Sequence, residues 1–504
     1  MIDATPLLRA YARRRLATLA RQEGPATQER ELLRLVRRAA RIAFGRAHGF
    51  DGVHSVADFQ ARVPLRRYED FWREAWSPRF PRVAGATWPG RVPFLALSSG
   101  TTSGTTKYIP VSTDMLRSNG RAALDVLVHH IANRPASRVL GGKSFMLGGS
   151  TDLRMEAPGI RSGDLSGIAA TRVPFWARPY TFPPPDLALL ADWDRKLDLL
   201  ARRSLPEPIR MLSGTPSWLL LLFEHLAALR PDQPRRLASS YPELELLVHG
   251  GVSFAPYRAA FDAWLAGGRA ELREVYAASE GFVAVADRGP GAGMRAILDN
   301  GLFLEFVPVA ELDASAPTRH WIGTAETGVD YALVLSTCAG LWSYVIGDVV
   351  RLIDRSPPRL LVVGRTSYFL SAFGEHLSGE EIERAVLEGA AAIGTGVAEF
   401  AVGPEAAGAR GRHVFVVEFA GDAPGAERVA RFGAAADAAL SGLNEDYRAH
   451  RQGGQLLPPR AMAARPGTFE AWMRARGRLG GQNKVPRVIT DPDLLGSLER
   501  QAGA

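Results

Sequence analysis

The sequence predicts an α/β protein with layered sheets and helices, followed by a smaller α+β domain. Strand-like apolar runs followed by helices recur in the first half of the chain, and residues 301–363 consist mostly of strand-like runs. After them, Ser378 and Glu381 have the spacing of a capping box, which predicts the start of a further helix. Because 504 residues are too many for one core, we predict an N-terminal domain over 1–364 and a C-terminal domain over 365–504.

The first elements follow from periodicity and helix-start signals. Residues 5–45 repeat apolar positions at helical spacing. The apolar run Phe94–Leu97 predicts a buried strand. Ser112 or Thr113 then offers the N-cap of a helix that runs to about Ile131.

Two further units repeat this order of strand and helix. The run Ile209–Leu212 is followed by Thr215-Pro216, which supplies a cap and a first-turn proline. The run Leu244–Val248 precedes a helix that we expect to open near Pro256. This alternation favours a layered α/β sheet.

The last elements differ from the first. Residues 301–363 suit an antiparallel sheet or a small β-barrel-like part attached to the α/β region. Further on we predict strands at Glu399–Val402 and His413–Phe419, a long helix from about Ala426 and a final strand near Arg487–Thr490. Together these elements would form an α+β sandwich.

Composition excludes several protein classes. Hydrophobic residues make up 46% and charged residues 23%, which argues against disordered, collagen-like and coiled-coil chains. The net charge is +8, but the basic residues are dispersed among acids, so we predict no nucleic-acid partner. A single cysteine, Cys338, excludes an internal disulfide and predicts a cytoplasmic location. No run reaches the ~18 apolar residues of a membrane span. We also expect the protein to be a monomer.

The loop after the first predicted strand suits phosphate binding. Residues 98–107 form the sequence SSGTTSGTTK, in which glycines let backbone N–H groups turn toward a phosphate and hydroxyls add donors. It is not a Walker loop, because its lysine follows Gly104 by three positions. The alternative is a flexible connection, but the lysine is one of four in the chain. The predicted phosphate ligands are Ser98, Ser99, Gly100, Thr101, Thr102 and Lys107.

With the following Tyr108-Ile109-Pro110, this loop resembles that of the Gretchen Hagen-type auxin-responsive acyl acid amido synthetases. That family lies within the acyl-adenylate-forming superfamily of acyl-CoA synthetases and firefly luciferase. The resemblance implies a large adenylate-forming domain and a small mobile cap domain. It also implies an ATP- and Mg²⁺-dependent ligase, which activates a carboxylic acid as an acyl-adenylate and transfers it to an amino acid or similar amine.

A second segment, residues 276–281, is similar to the family's Tyr-Gly-Ala-Ser-Glu-Gly motif, with Ala277 in place of the glycine. An aromatic ring offers a face for adenine, and a carboxylate is a hard ligand for Mg²⁺. The resemblance therefore assigns metal binding and a catalytic role to Glu280. It assigns nucleotide binding to Tyr276, Ala278 and Ser279.

A third segment, Trp342–Asp348, resembles the family's Tyr-Arg-x-Gly-Asp motif. Because a carboxylate can accept both ribose hydroxyl hydrogens, Asp348 is the expected ribose ligand. Val345 replaces the usual polar residue. Without the other motifs, a Gly-Asp pair would predict only a turn.

Two late segments complete the resemblance. Val363–Ser367 resembles the hinge into the cap domain and contains Arg365, an expected nucleotide ligand. Residues 480–487 resemble the family's Gly-rich segment, whose lysine reaches the α-phosphate and the substrate carboxylate; here it is Lys484. The alternative for Lys484 is a lysine in solvent.

Other candidates fit the resemblance more loosely. Gly250 and Gly251 would let the backbone approach adenine, and His249 either lines the acyl pocket or belongs to the core. We predict that His129 and His130 occupy a helix surface and a partly buried face. The aromatic candidates for the acyl pocket, which are more often core residues, are Phe175, Trp176, Trp218 and Phe254.

Two other functions stay open at this point. The first is an adenylate-forming ligase that delivers the acyl group to coenzyme A or a carrier thiol. The second is an inactive nucleotide-binding regulatory homologue, against which the presence of Glu280, Asp348 and Lys484 argues. The motifs concern nucleotide chemistry, so they predict no particular acid or amine.

Overall fold

The computed structural model divides into two compact units. It describes residues 2–99, 106–148, 153–173, 177–188, 190, 193–251, 254, 257–366, 370, 375, 377–407, 410–452, 456–478 and 484–503. The large unit comprises Met1–Val252 and Asp262–Val362, and the small unit comprises Ser253–Phe261 and Val363–Ala504. The large unit therefore ends at Val362, two residues before the boundary that the sequence predicted after residue 364. The inclusion of Ser253–Phe261 in the small unit was not predicted.

Helices cover both parts of the chain. In chain order they are α1 (Thr5–Ala20), α2 (Gly24–Ala39), α3 (Ala43–Ala47), α4 (Val56–Arg62), α5 (Tyr68–Phe71), α6 (Thr113–Asn133), α7 (Leu165–Thr171), α8 (Pro185–Ala188), α9 (Trp193–Ser204), α10 (Pro216–Ala228), α11 (Leu237–Ser240), α12 (Arg258–Leu265), α13 (Gly379–Ala392), α14 (Ala426–Leu443), α15 (Glu445–Gln452), α16 (Thr468–Ala475) and α17 (Pro492–Gly503). Within the described part of the chain, no helix combines the length and apolar character that a membrane crossing requires.

The strands of the described residues form three sheets. In chain order they are β1 (Phe94–Ser99), β2 (Thr106–Val111), β3 (Lys143–Met146), β4 (Arg154–Ala157), β5 (Ile160–Gly163), β6 (Thr181–Phe182), β7 (Ile209–Gly214), β8 (Leu246–Gly250), β9 (Glu271–Ala278), β10 (Gly281–Val285), β11 (Met294–Ala296), β12 (Leu302–Pro308), β13 (His320–Trp321), β14 (Asp330–Thr337), β15 (Tyr344–Arg355), β16 (Pro358–Arg365), β17 (Val397–Ala407), β18 (Arg410–Phe419) and β19 (Arg460–Ala464).

The helix starts that local sequence signals predicted are confirmed. Helix α6 begins after Ser112, whose hydroxyl oxygen accepts a hydrogen bond from the Met115 backbone N–H at 3.0 Å. Helix α13 begins at the predicted capping box, in which Ser378 and Glu381 each accept from the other's backbone N–H. Helix α10 begins at Pro216 as predicted, although the side chain of Thr215 makes no cap bond. These signals succeed because both partners lie within one turn.

The largest sheet has twelve strands and contains a parallel region. Its order is β13-β12-β14-β15-β16-β11-β10-β9-β8-β7-β3-β6. Strands β9, β8, β7, β3 and β6 pair in parallel, so their carboxyl ends meet at one edge. In α/β sheets, ligands bind beyond this edge.

The strands predicted at residues 301–363 join the same sheet. Strand β12 pairs antiparallel with β14, and β14 pairs antiparallel with β15. The expected antiparallel part is confirmed, but among the described strands it is continuous with the parallel region and is not a separate sheet. The sequence could not show this continuity, because the link runs through the short strand β11, which pairs with both β10 and β16.

The sheet is strongly curved between β9 and β15. These strands are four positions apart in the strand order, a separation of about 19 Å in a flat sheet. Yet Tyr276 on β9 and Asp348 on β15 form a direct hydrogen bond of 2.5 Å. Curvature is therefore required to bring the two strands within reach, and the main core contains residues of both strands.

The small unit is built on the three-stranded sheet β17-β18-β19. Alternate residues of β18 point to opposite faces: Phe415 packs in one core cluster with α13 and α14, and Val416 packs in another with α16 and α17. Strand β19 was not predicted. The final strand predicted near Arg487–Thr490 is wrong, because that segment forms only a single bridge, between Val488 and Val402.

Candidate active site

The carboxyl edge of the parallel strands brings together residues from separate motifs. Gly250 ends β8, while Tyr276 and Ala278 lie in the last three positions of the neighbouring β9. Ser279 and Glu280 form the two-residue turn between β9 and β10. Adjacent strands thus place the predicted adenine and metal residues at one edge of the sheet, where α/β proteins bind nucleotides.

Gly250 is required by packing. A Cβ atom built there would lie 2.2 Å from the backbone oxygen of Val275 on β9. The next residue, Gly251, has φ +88°, which side chains rarely tolerate. The glycine pair therefore has a structural cause that is independent of any ligand, and its predicted contact with adenine stays a prediction.

Tyr276 and Asp348 are paired directly. The Tyr276 hydroxyl donates to Oδ2 of Asp348 at 2.5 Å, a short bond of the charge-assisted type. The Tyr276 side chain is 7% exposed and belongs to the main core. The hydroxyl thus fixes the carboxylate that was predicted to bind ribose, a role that the sequence did not suggest.

Asp348 stands where the strand pairing is interrupted. The register of β14 and β15 shifts between Ala332, opposite Val349, and Val334, opposite Val345. Gly347, directly before Asp348, has φ +91°. Such an irregularity redirects a side chain from the regular alternation of a strand. The Gly-Asp pair is therefore a bulge inside β15, not a turn between elements.

Val345, the departure from the family motif, is an apolar packing residue. It is 8% exposed and lies in a cluster with Val307, Ala332 and Val334. The other departure, Ala277, is exposed at the end of β9, so its methyl group meets no packing constraint in the core. Neither replacement disturbs the Tyr276–Asp348 pair.

A buried polar network supports the start of β15 and was missed by the sequence analysis. Ser343 has φ +46°, a strained conformation for serine. Its hydroxyl donates to Glu305 at 3.0 Å and accepts from Arg319 at 2.7 Å, and Arg319 also pairs with Glu305. The network holds the segment that leads to Asp348. No local pattern marks it, because its members lie on three separate segments.

Glu280 occupies a shielded position at the tip of the β9–β10 hairpin. It is 7% exposed, although it lies in a two-residue turn. Its carboxylate is a hard oxygen donor, and Mg²⁺ commonly binds one or two carboxylates together with substrate phosphates. The donor chemistry of Glu280 therefore fits the implied metal. Among the residues that the structure describes, no group of three or more metal-binding side chains adds a preformed cage.

The predicted phosphate loop is framed by β1 and β2. Its middle residues, Gly100, Thr101 and Thr102, lie outside the described residues, and only the backbone of Ser98 and Ser99 is described. Lys107 on β2 pairs in register with Ser98 on β1. The Lys107 ammonium lies 5.6 Å from the ring centroid of Tyr68, a cation–π distance. The strands thus bring the first and last loop residues together.

Two predicted site residues belong to the small unit. Arg365 ends β16 and is partly buried, and Lys484 is exposed. Residues 479–483, which precede Lys484, lie outside the described residues. The structure therefore groups the residues predicted from the second and third motifs, but it gives no geometry that joins Lys484 to them.

The histidine pair on α6 is buried, so the predicted surface position is wrong. His129 is 5% exposed and His130 is fully buried. Nδ1 of His130 is hydrogen-bonded to the Glu271 carboxylate at 2.5 Å, and its Nε2 is hydrogen-bonded to the Ser137 hydroxyl at 2.9 Å. Burial lowers the pKa of His129 to about 4. The error arose because α6 is covered by α1 and by strands β9 and β10, which local periodicity does not reveal.

The remaining candidates for the acyl pocket divide by position. Phe175 and Trp176 lie outside the described residues. Phe254 is 5% exposed and packs edge-on against Phe261 at 5.1 Å, as a core residue does. His249 is 3% exposed at the carboxyl end of β8. Trp218 is partly buried in α10, which follows β7 at the same edge.

Three models of one protein family match this chain in order. They are the GH3 family N-terminal domain at residues 15–196, the central domain at 295–365 and the C-terminal domain at 380–493. The chain belongs to the GH3 family. The family prediction made from the sequence motifs is therefore confirmed.

Two GH3 proteins of rice illustrate the range of similarity. "Probable indole-3-acetic acid-amido synthetase GH3.9" of Oryza sativa subsp. japonica is 30% identical over 261 residues, covering 47% of this chain and 58% of that protein. "Indole-3-acetic acid-amido synthetase GH3.8" of Oryza sativa subsp. indica is 25% identical over an alignment of 560 residues, gaps included, which covers 94% of this chain and 90% of that protein. The first match thus spans little more than half of its relative, whereas the second extends along nearly all of both.

Solved structures share the GH3 fold. The structure named "AtGH3.15 acyl acid amido synthetase in complex with 2,4-DB" superposes with a TM-score of 0.81 at 18% identity, covering 96% of this chain and 95% of that one. A 2-hydroxyisobutyryl-CoA ligase in the postadenylation state gives a TM-score of 0.62 at 17% identity, covering 95% and 92%. At these identities the likeness establishes the fold alone, which is one that acyl-adenylate ligases share.

Proposed function

We propose that this GH3 protein is an ATP-dependent acyl acid amido synthetase. It would activate a carboxylic acid as an acyl-adenylate, release pyrophosphate and transfer the acyl group to the amine of an amino acid or a similar amine. The observation that carries the proposal is the ordered match to the N-terminal, central and C-terminal GH3 models. The amido synthetase names of the relatives give the reaction class.

In the first step the chain would hold the nucleotide at the carboxyl edge of the parallel strands. Asp348, oriented by the Tyr276 hydroxyl, would accept the ribose hydroxyl hydrogens. The backbone at Gly250, Gly251, Ala278 and Ser279 would flank adenine. Nucleotide transfer needs positioning and charge neutralisation more than covalent catalysis, so a preformed carboxylate suits the task.

The phosphates would be held by the loop between β1 and β2. Ser98, Ser99, Thr101 and Thr102 would donate hydroxyl hydrogens, and Lys107 would add positive charge. Mg²⁺, bound by Glu280, would neutralise phosphate charge when present. These assignments rest on the family motif and on the register that frames the loop.

The small unit would supply the second set of groups. Lys484 is the residue proposed to meet the charge that develops on the α-phosphate and the carboxylate, as a compact point charge. Arg365 ends β16, three residues after the large unit ends at Val362, and we propose it as a nucleotide ligand beside a hinge that permits cap motion. We also propose that the protein acts as a monomer in the cytoplasm.

Delivery of the acyl group to coenzyme A is the second candidate function, favoured by the fold similarity to a CoA ligase. Both functions share acid-dependent release of pyrophosphate and differ in the acceptor. A screen of purified protein with ATP, Mg²⁺ and a panel of carboxylic acids should first identify an acid that releases pyrophosphate. That acid is then offered with coenzyme A or with a pool of amino acids, and the products are measured by mass.

The three outcomes of the screen are distinct. An acyl amide that forms only in the amino-acid arm supports the proposed function. A thioester with no amide would replace it with the CoA ligase function. No pyrophosphate release across the panel would favour a regulatory nucleotide-binding protein.

A further inference from the structure

The chain around residue 487 is attached to the outer edge of β17 in the small unit. The Val402 N–H donates to the Arg487 carbonyl oxygen at 2.8 Å, and the Ile489 N–H donates to the Val402 carbonyl oxygen at 2.8 Å. Val402 is fully buried within β17. Lys484 precedes this attachment by three residues and is exposed. The attachment is therefore the first described backbone pairing with the sheet after Lys484.

The side chain of Arg487 adds several contacts at the same point. Its guanidinium forms an ion pair with Glu399, donates to the Phe400 carbonyl oxygen at 3.2 Å and lies 4.3 Å from the centroid of the Phe400 ring. It also donates to the Tyr257 hydroxyl at 3.2 Å, and Tyr257 belongs to the same unit. The Arg487 side chain thus contacts β17 through an ion pair, a hydrogen bond to the backbone and a cation–π contact. It also contacts Tyr257 on a second segment of the chain.

The Arg487–Glu399 ion pair is largely shielded from solvent. The side chains of Arg487 and Glu399 are 14% and 16% exposed, so the pair is screened by solvent less than a surface pair. A planar guanidinium can stack on a ring while it donates in several directions, which a lysine ammonium cannot do. The arrangement therefore depends on arginine at this position and not on positive charge alone.

We propose that Arg487 is a positioning residue for Lys484. By fixing residues 487–489 on β17, it sets where the segment that bears Lys484 leaves the sheet and limits the range of the ammonium group. The inference rests on the proposed function for its catalytic consequence. Its structural part, the immobilisation of the segment by Arg487, stands independently.

Amide hydrogen exchange and kinetics on the full chain test both parts. In Arg487→Met, we expect exchange at the Ile489 and Val402 amides to rise about tenfold, because the two hydrogen bonds that attach the segment to β17 open more easily. The kcat of acid-dependent pyrophosphate release should fall about tenfold while the KM for ATP changes less than about twofold, since ground-state nucleotide binding is untouched. Arg487→Lys should recover part of the exchange protection and part of kcat.

A matched control separates positioning from general destabilisation. Arg460 is in the same unit and pairs with Glu405 at 2.9 Å and Glu499 at 2.6 Å. Arg460→Met removes a comparable paired arginine, and we expect it to leave kcat and the exchange of the Ile489 and Val402 amides unchanged. Equal losses of kcat in the two variants would show that Arg487 contributes only stability, and would overturn the proposal.

A double variant tests whether Arg487 acts through Lys484. If it does, Lys484→Ala with Arg487→Met should release pyrophosphate no more slowly than Lys484→Ala alone, because the group to be positioned is already absent. A further loss of rate in the double variant would overturn the proposal, as would wild-type exchange and kcat in Arg487→Met. If the wild-type chain releases no pyrophosphate with any acid, the proposed function fails, and the exchange measurements still decide the immobilisation by Arg487.

Discussion

The two units hold their proposed active-site residues in opposite ways. In the large unit, Tyr276 and Glu280 are each 7% exposed, and the Tyr276 hydroxyl is bonded to Asp348. In the small unit, Lys484 is exposed on a segment that joins its sheet through the backbone at residues 487–489. The groups proposed to hold the nucleotide are therefore preorganised by packing, whereas the proposed charge donor depends on a few contacts nearby. We expect substitutions in the first set to alter binding and substitutions in the second to alter rate.

The largest effect is expected from Lys484→Ala. The acid-dependent release of pyrophosphate should fall at least about 100-fold, since a charge that stabilises a transition state is worth about 3 kcal/mol or more. The KM for ATP should change little, as measured by initial rates. Lys143→Ala is the control, because Lys143 pairs with Glu207 at 2.7 Å and has no proposed part in the reaction. A wild-type rate in Lys484→Ala would remove the contrast between the units.

A smaller effect is expected from Glu280→Gln, which keeps the shape of the side chain but removes its charge. The Mg²⁺ concentration that gives half-maximal rate should rise about tenfold, because a hard divalent cation loses a carboxylate ligand. Glu224→Gln is the matched control, because Glu224 is an exposed carboxylate on α10 that pairs with Arg235. Identical Mg²⁺ titrations for Glu280→Gln and wild type would contradict the metal assignment.

Tyr276→Phe should have a moderate effect on binding alone. An intramolecular hydrogen bond contributes about 0.5–1.5 kcal/mol net, so we expect the KM for ATP to rise about threefold to tenfold with kcat nearly unchanged. Tyr331→Phe is the control, because Tyr331 is 1% exposed and its hydroxyl accepts from the Glu326 backbone N–H at 3.1 Å. A reduced kcat with an unchanged KM would reverse the proposed division of roles.

The smallest effect concerns stability and comes from Lys196 on α9. It is 1% exposed, donates to the Ala188 carbonyl oxygen at 2.7 Å, and burial lowers its pKa to about 8. Between that pH and the usual lysine pKa near ~10.4, the unfolded chain binds the proton and the folded chain does not, so stability rises with pH. The Tm of wild type minus that of Lys196→Met should therefore increase from pH 7 to pH 10, whereas a constant difference would contradict the pKa shift.

Local signals explain how much of this structure the sequence could predict. The caps at Ser112 and Ser378 were found because both partners lie three residues apart. The same locality explains the misplacement of His129 and His130, whose burial depends on distant elements. The Glu305–Arg319–Ser343 network was invisible for the same reason.

The candidate site shows the same limit. The motifs selected Tyr276 and Asp348, and the parallel pairing of β8 with β9 accounts for the proximity of Gly250 to Tyr276. The direct bond between Tyr276 and Asp348 depends on curvature of the sheet across β10, β11 and β16, which lie between their two strands. Sequence patterns indicate which residues lie on strands, but not how far a sheet bends.

That curvature gives the Tyr276–Asp348 pair a mechanical consequence. A nucleotide bound to Asp348 and flanked by β9 would connect two strands that are four positions apart in the strand order of the sheet. Because ligands stabilise the state that binds them, ATP should resist the straightening of the sheet and couple the opening of its parallel and antiparallel regions. The parallel and antiparallel regions of this sheet would then unfold as a single cooperative unit when the nucleotide is bound.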